Sequence, residues 1–250
     1  MNTHIKFDNV TVKYGSKTAM KNVSIDIPRN EIFGIVGPAN SGKTTLLKCI
    51  NRTLEFVSSA SLTGTVSING EDTSRIKNVY SLRRCVGIVF PLPVGLPLSI
   101  YDNVAYAPHL VGMRRGPELD AFVEKCLTQA MLWDEVKDRM HMLGTKLSGG
   151  QQQRLTLARA LSHEPEILCL DEFSIAIDPV TTMKIEDVLV ELKQEKTIIM
   201  VTNLVQQARR IADRTAFFNN SELVEVNDTE TIFTNPENPM TSDYLTGAFG

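Results

Sequence analysis

GPANSGKTT, residues 37–45, comes directly after the apolar run EIFGIVG (31–37) and leads into KTTLLKCIN (43–51), whose apolar residues recur at helical spacing. A glycine, four residues and then Gly42-Lys43-Thr44 is the pattern of a turn whose successive backbone N–H groups wrap around a phosphate chain. Strand, glycine loop and helix stand in the order such a turn requires, and the helix beginning there adds its positive end. In this reading Gly37 and Gly42 allow the close backbone approach. Pro38, Ala39, Asn40, Ser41 and Thr45 complete the binding loop. Lys43 reaches the β- and γ-phosphates as a mobile charge, and Thr44 offers its hydroxyl to Mg²⁺.

A chain of 250 residues can bury a sizeable core in one domain, or in a core with one inserted subdomain. Its formal net charge of −3 provides no basic field for a nucleic-acid backbone, so no nucleic-acid partner is expected. The N-terminal stretch MNTHIKFDNV carries no basic leader followed by an apolar run, and no apolar stretch approaches the roughly 20 residues that span a bilayer. These features predict a protein retained in the cytosol. Cys49, Cys85, Cys126 and Cys169 lack the short paired spacings of zinc sites and disulfide frameworks, and are expected to be reduced structural thiols with no metal or redox role.

The first thirty residues alternate apolar and polar positions (Ile5, Phe7, Val10, Val12, then Val23, Ile25, Ile27), as half-buried antiparallel strands do. Residues 62–90 also read as strand-like, with an Asn69-Gly70 turn, until Pro91, Pro93, Gly95 and Pro97 break the pattern. From about 100 to 145 the chain reads as helical, and AFVEKCLTQAMLWDEV (121–136) places Phe122, Cys126, Leu127 and Ala130 on one face. Alternation of strand and helix then resumes with EILCLDE (166–172), TTMKIEDVLVELKQ (181–194) and TIIMVT (197–202), the mark of a mainly parallel sheet flanked by helices. The expected organisation is α/β: a single 1–250 unit with a nucleotide-binding core and N-terminal antiparallel β-subdomain at 1–90 and 155–250, and an inserted helical subdomain at 91–154.

A phosphate-binding loop needs an acidic partner at the end of a neighbouring buried strand. Four apolar residues, Ile167 to Leu170, lead to Asp171, suited to hold Mg²⁺ through water, and to Glu172, suited to polarise an attacking water. In LSGGQQQR (147–154), two glycines preceded by Ser148 and followed by a helix-forming run make a second anion cradle. The string LSGGQ arises by chance in only about a few chains in ten thousand, so the combination is specific.

Phosphate loop, LSGGQ and ILCLDE, in that order, resemble the nucleotide-binding subunits of ABC transporters, P-loop NTPases with a RecA-like core, and the resemblance runs from about residue 5 to the C-terminus. Within that family SIYDNVAY (99–106), LWDEVKDR (132–139) and the ending TIFTNPENP…TSDYLTGAFG resemble the ATPase subunit of the bacterial high-affinity phosphate importer (Pst type). The resemblance implies ATP and Mg²⁺ as ligands, with Tyr14 stacking on adenine. It also implies a head-to-tail dimer in which Ser148 and Gly150 touch the γ-phosphate bound to the partner chain, with Gly149, Gln151 and Asp178 also counted among the nucleotide-binding residues. The implied partners are membrane permease subunits that contact the helical lobe, a second ATPase subunit in a homodimer or heterodimer, and indirectly a periplasmic or extracellular phosphate-binding protein. The implied location is the cytoplasmic face of the membrane, as a peripheral subunit.

The chain departs from the family at the chemistry. Pro91 stands where the family places a glutamine that contacts Mg²⁺ and the attacking water, and proline offers no side-chain donor or acceptor. Asn203 stands where the family places a histidine; its amide donates a hydrogen bond but carries no proton at neutral pH. Phe173 and Ile175 replace the usual proline and serine, although Asp178 remains. Groups that bind ATP are therefore kept while two that organise cleavage are replaced. The expectation is strong ATP binding with weakened hydrolysis by Glu172 and Asn203. The alternative is a hydrolysis-deficient regulatory module, or one half of a heterodimer with a full-strength paralogue. A third class, ABC proteins of DNA repair or translation, carries long coiled coils or tandem cassettes that this chain lacks.

Overall fold

The structure, a computed structural model, describes residues 3–248. Met1 and Asn2 of the N-terminal stretch, and Phe249 and Gly250 at the end of TSDYLTGAFG, lie outside the described residues. The strands are β1 (Thr3–Tyr14), β2 (Lys17–Pro28), β3 (Ile32–Val36), β4 (Ala60–Ile68), β5 (Glu71–Asp72), β6 (Val86–Val89), β7 (Ile167–Asp171), β8 (Thr197–Val201), β9 (Arg214–Asn219) and β10 (Glu222–Asp228). The helices are α1 (Lys43–Ile50), α2 (Val79–Cys85), α3 (Ile100–Leu110), α4 (Pro117–Gln129), α5 (Trp133–Val136), α6 (Gly149–Leu161), α7 (Pro179–Leu192), α8 (Val205–Ile211), α9 (Thr229–Thr234) and α10 (Pro239–Thr246).

Two sheets result. One is antiparallel, in the order β2-β1-β4-β5, and in β2 Val23, Ile25 and Ile27 are buried while Asn22, Ser24 and Asp26 face water, as alternation requires. The other has the order β10-β9-β3-β8-β7-β6, parallel except for the β9–β10 pair. Strands β3, β7 and β8 are buried along their whole length, which is why they read as continuous apolar runs rather than alternating ones. Along β3, Phe33 and Ile35 join the core beneath the antiparallel sheet and α1, whereas Ile32 and Val36 join the core shared with the helical lobe. The two faces of one strand thus tie the lobe and the β-subdomain to the same sheet, and the phosphate-loop sequence follows directly at its end.

The expected α/β architecture holds, with differences in detail. Residues 79–85, read as strand-like, form α2: the Asn78 side chain accepts a hydrogen bond from the Ser81 N–H, and with Leu82 its only buried residue the helix leaves no periodic signal. The helical run 121–136 is interrupted after α4, because Met131 takes φ 54° and the chain restarts at α5. The 154/155 boundary falls inside α6, which runs through it without a break. All four cysteines are free thiols, and burial pushes Cys49 and Cys126 up to about 12. Among the described residues no helix is long and apolar enough to cross a membrane.

Candidate functional site

Glycine is required at both ends of the loop. Gly37 takes φ 149°, and a β-carbon there would lie 2.1 Å from the Phe218 carbonyl oxygen; Gly42 takes φ 107°, and a β-carbon there would lie 2.5 Å from the carbonyl oxygen of Ala19. Between them Asn40 adopts φ 63°, so the chain curls tightly before α1 begins. The Lys43 ammonium lies inside this curl, donating to the Gly37 carbonyl at 2.7 Å and to the Pro38 carbonyl at 2.8 Å. Lys43 is buried, and burial pulls its pKa down against the upward pull of Glu172 and Asp171.

In front of the loop is a cleft of about 290 Å³, bounded by Tyr14, Lys17, Asn40, Lys43, Thr44 and Glu172. Ala39, Gly42 and Thr45 also face it, and the Tyr14 hydroxyl lies 3.4 Å from that of Thr45. Gly37, Pro38 and Ser41 are not among the residues that line the cleft. Lys17 was not singled out in the sequence; its signal is its register opposite Tyr14 across the two-residue turn between β1 and β2.

Asp171 closes β7 behind the cleft, 1% exposed, with both carboxylate oxygens lacking a hydrogen-bond partner. Burial pushes its pKa up, the Thr44 hydroxyl opposes that, the Glu172 charge adds to it and Lys43 opposes it. A buried carboxylate with no partner beside a threonine hydroxyl fits a hard, oxygen-seeking cation such as Mg²⁺. Among the described residues no cluster of three or more His, Cys, Asp or Glu side chains could hold a metal. The ion therefore suits sharing between Asp171, Thr44 and the oxygens of a phosphate ligand.

Glu172 sits one residue past the strand at φ 47°, its N–H donating to the Val201 carbonyl at 2.9 Å. A left-handed conformation at a residue other than glycine costs on the order of 1 kcal/mol, and here it aims the carboxylate into the cleft. Asn203, just past the end of β8, donates its side-chain amide to Glu172 Oε1 at 2.6 Å. The two expected catalytic residues are therefore in direct contact. Pro91 follows Phe90, whose carbonyl accepts from the amide of buried Gln153 at 2.9 Å, so α6 holds the backbone at this junction.

The LSGGQ residues do not line this cleft. Ser148 caps α6 in a capping box, its hydroxyl accepting from the Gln151 N–H at 3.4 Å while its own N–H donates to Gln151 Oε1 at 3.1 Å. Ser148 and Gly149 are exposed, and a β-carbon on Gly150 would come within 2.8 Å of the Ala176 carbonyl oxygen. Asp178 caps α7, accepting from the Thr181 N–H at 2.9 Å, and likewise lies outside the cleft. Glu135 is a further participant whose role the sequence did not reveal: Gln151 donates to one of its oxygens at 2.7 Å and Arg154 to the other at 2.6 Å. A single carboxylate so holds the signature segment to the helical lobe.

The family model described as "ABC transporter" matches residues 20–174. The chain is 46% identical over 251 residues to the "Phosphate import ATP-binding protein PstB 2" of Lactiplantibacillus plantarum, with 100% of each chain covered. Among solved structures it is similar to a dimeric ATP-binding cassette in a post-hydrolysis state bound to ADP and Pi, with TM-score 0.77, 30% identity and coverage of 90% of this chain and 98% of that one. It is also similar in fold to a bacterial Atm1-family ABC exporter with ATP bound, with TM-score 0.86, 23% identity and coverage of 100% of this chain and 42% of that one.

The Arg154 hydrogen bond holds the Glu135 carboxyl below the usual range, against its partial burial. A lowered folded-state pKa means that the stabilisation is complete above the unfolded value and is lost as pH falls through the folded one. Glu135 is 44% exposed, so water screens the pair. Glu135→Ala should therefore cost about 1 kcal/mol, the upper end for such pairs. Urea unfolding at pH 7 should show that difference, and at acid pH the two proteins should converge.

Proposed function

The chain belongs to the ABC transporter family, and from that premise we propose that it is the ATPase subunit of an importer of inorganic phosphate, working at the cytoplasmic face of the membrane. The observation that carries the reading is a cleft lined by Lys43, Thr44 and Glu172, with the buried Asp171 carboxylate behind it in reach of Lys43 and Thr44, and Asn203 bonded to Glu172. The phosphate identity rests on the full-length likeness to the L. plantarum import protein.

ATP would lie with its base against Tyr14 and its phosphates along the amides of residues 39–45. Lys43 would exchange the carbonyls of Gly37 and Pro38 for phosphate oxygens, a short movement for a flexible side chain. Thr44 and Asp171 would hold Mg²⁺, which would supply positive charge to neutralise the phosphates. Glu172 would accept the proton of the attacking water. Asn203 donates to Oε1 of that carboxylate, which leaves the other oxygen to face the water.

Completion of this site by a second subunit is supported by chemistry and by exposure. Ser148 and Gly149 are open to solvent far along the chain from the cleft, and Ile175, Val180, Met183 and Leu204 expose apolar side chains on the segments that follow Glu172 and Asn203. The printed description of one similar cassette is of a dimer. ATP would then hold two subunits head to tail, whether identical or paralogous. Permease docking is supported by Tyr80 of α2 and Leu110 and Val111 at the end of α3, which expose apolar side chains around a cavity of about 300 Å³.

Hydrolysis is proposed to be slow, because Pro91 gives no side-chain contact and Asn203 spends its amide on Glu172 instead of carrying a proton. One transition-state donor is typically worth about a hundredfold to a thousandfold in rate. Calorimetry should detect uptake of MgATP by the wild type, and Lys43→Ala should abolish it. Steady-state assays should show Pro91→Gln with Asn203→His turning over at least about tenfold faster than the wild type; equal rates would remove the proposed weakness. In vesicles with its cognate permease, turnover should rise when external phosphate is supplied to the binding protein, and an anion of another class that stimulates in its place would overturn the phosphate assignment.

A further inference from the structure

Glu172 and Asn203 lie on two chain segments that are tied together on both sides of the pair. Before it, β7 and β8 run in register to Asp171 and Val201, and the Glu172 N–H donates to the Val201 carbonyl at 2.9 Å. After it, the Glu172 carbonyl accepts from the Ile175 N–H at 3.2 Å, closing a turn that contains Ser174. The Ser174 hydroxyl meets the side-chain amide of Gln207, accepting from Nε2 at 3.3 Å and placed to donate to Oε1 at 3.4 Å. Gln207 stands four residues past Asn203, in the first turn of α8, and is 1% exposed. Its amide is held in one orientation: Nε2 also donates to Glu186 of α7 at 3.0 Å, and the Arg210 guanidinium grips both oxygens of that carboxylate at 2.7 and 2.8 Å. Phe173, between Glu172 and Ser174, is buried in the core and sets the depth of the turn, whereas the contact of Ser174 with Gln207 sets its direction relative to α8.

We propose that Gln207 is a positioning residue for hydrolysis, its amide fixing the Ser174 turn against α8 so that the Glu172 carboxylate stays against the Asn203 amide. This rests on the reading of Glu172 as the base that acts on water. Glu172 holds a left-handed conformation, φ 47°, which a residue other than glycine keeps only where its surroundings overdetermine it. The strand pairing fixes the chain before Glu172. A turn tied on that side alone could swing to relieve the strain and carry the carboxylate away from Asn203; the tie at Ser174 closes that route. Ser174, Gln207 and Glu186 are all buried and each has a hydrogen-bond partner, the condition under which a polar network is rigid. None of the three lines the cleft, so the network acts on the geometry of the pair and leaves the grip on nucleotide to the glycine loop.

The full chain tests this. Gln207→Met keeps the length of the side chain and removes its donor and acceptor, and Ser174→Ala removes the other end of the contact. In each, kcat should fall about tenfold to a hundredfold, the scale for slight misplacement of a reacting group. KM, and the Kd of a non-hydrolysable ATP analogue with Mg²⁺, should stay within about twofold of the wild type, because ground-state binding is untouched. The double variant should fall no further than the slower single one, since both remove the same contact. Ser174→Thr, which retains the hydroxyl, should keep most of the wild-type kcat. With every assay run well below the unfolding midpoint, a merely structural role lowers Tm and leaves kcat where it was. If Gln207→Met does not fold, Ser174→Ala, which deletes a single oxygen, decides alone. Unchanged kcat in Ser174→Ala, an equal loss in Ser174→Thr, losses that add in the double variant, or a Kd that worsens in step with kcat would overturn the proposal. A wild type that binds MgATP and turns over none would remove the reading of Glu172 as base and this inference with it, and is seen before any variant is compared.

Discussion

The phosphate loop is squeezed between two backbones. Ala19, whose carbonyl limits Gly42, belongs to the antiparallel sheet; Phe218, whose carbonyl limits Gly37, belongs to the mainly parallel one. Any side chain at either glycine would force those sheets apart. The same approach turns the Gly37 and Pro38 carbonyls toward Lys43 and sets the first turn of α1 against the cleft, which Lys43, Thr44 and Thr45 line. Behind that turn Leu46, Leu47 and Ile50 are fully buried, so the helix cannot drift to relieve the crowding. Close packing of the two sheets and the geometry of the anion cradle are one constraint.

That constraint fixes charge in an uncomfortable place. Lys43 and Asp171 are both nearly solvent-free, and among the described residues no ion pair joins them. Burial works against both charges, lowering one pKa and raising the other. Lys43 is compensated by two carbonyls, whereas the carboxylate of Asp171 has only the Thr44 hydroxyl near it. Burying a charge without partners is costly, and a fold keeps such a group only where the rest of the structure overdetermines it. An anionic chain of phosphates beside Lys43 and a cation at Asp171 would satisfy both at once. Because the charges are already oriented, little reorganisation would remain for the moment of reaction.

The parts of this arrangement that are local in sequence were legible there. The glycine loop, the acidic end of ILCLDE, the alternation in β1 and β2 and the apolar runs of β3, β7 and β8 each follow from a period or a short motif. Short helix α2 was not legible, since one buried residue makes no period, and neither was the break at Met131, which turns on a left-handed residue with no glycine to announce it. The contact between Glu172 and Asn203 joins residues 31 apart and depends on β7 and β8 lying side by side. Each residue was singled out alone; their pairing is a property of strand order. Glu135 escaped for the same reason, because its two partners lie on a different helix.

The three segments that resemble the phosphate-importer branch of the family have a common structural character. In SIYDNVAY, Ser99 caps α3 and the buried Asn103 donates to the carbonyls of Leu98 and Ser99 while accepting from the Leu96 N–H, tying down the proline-rich chain that leaves Pro91. In LWDEVKDR, Glu135 clamps Gln151 and Arg154 of the signature helix. In the C-terminal ending, Tyr244 stacks beside the strand that feeds the phosphate loop. Each segment braces a neighbouring element: the chain that follows Pro91, the signature helix, or the sheet that carries the glycine loop. What marks this branch of the family in the sequence is therefore packing and hydrogen bonding around the shared motifs, and it becomes legible only once the fold brings those segments beside them.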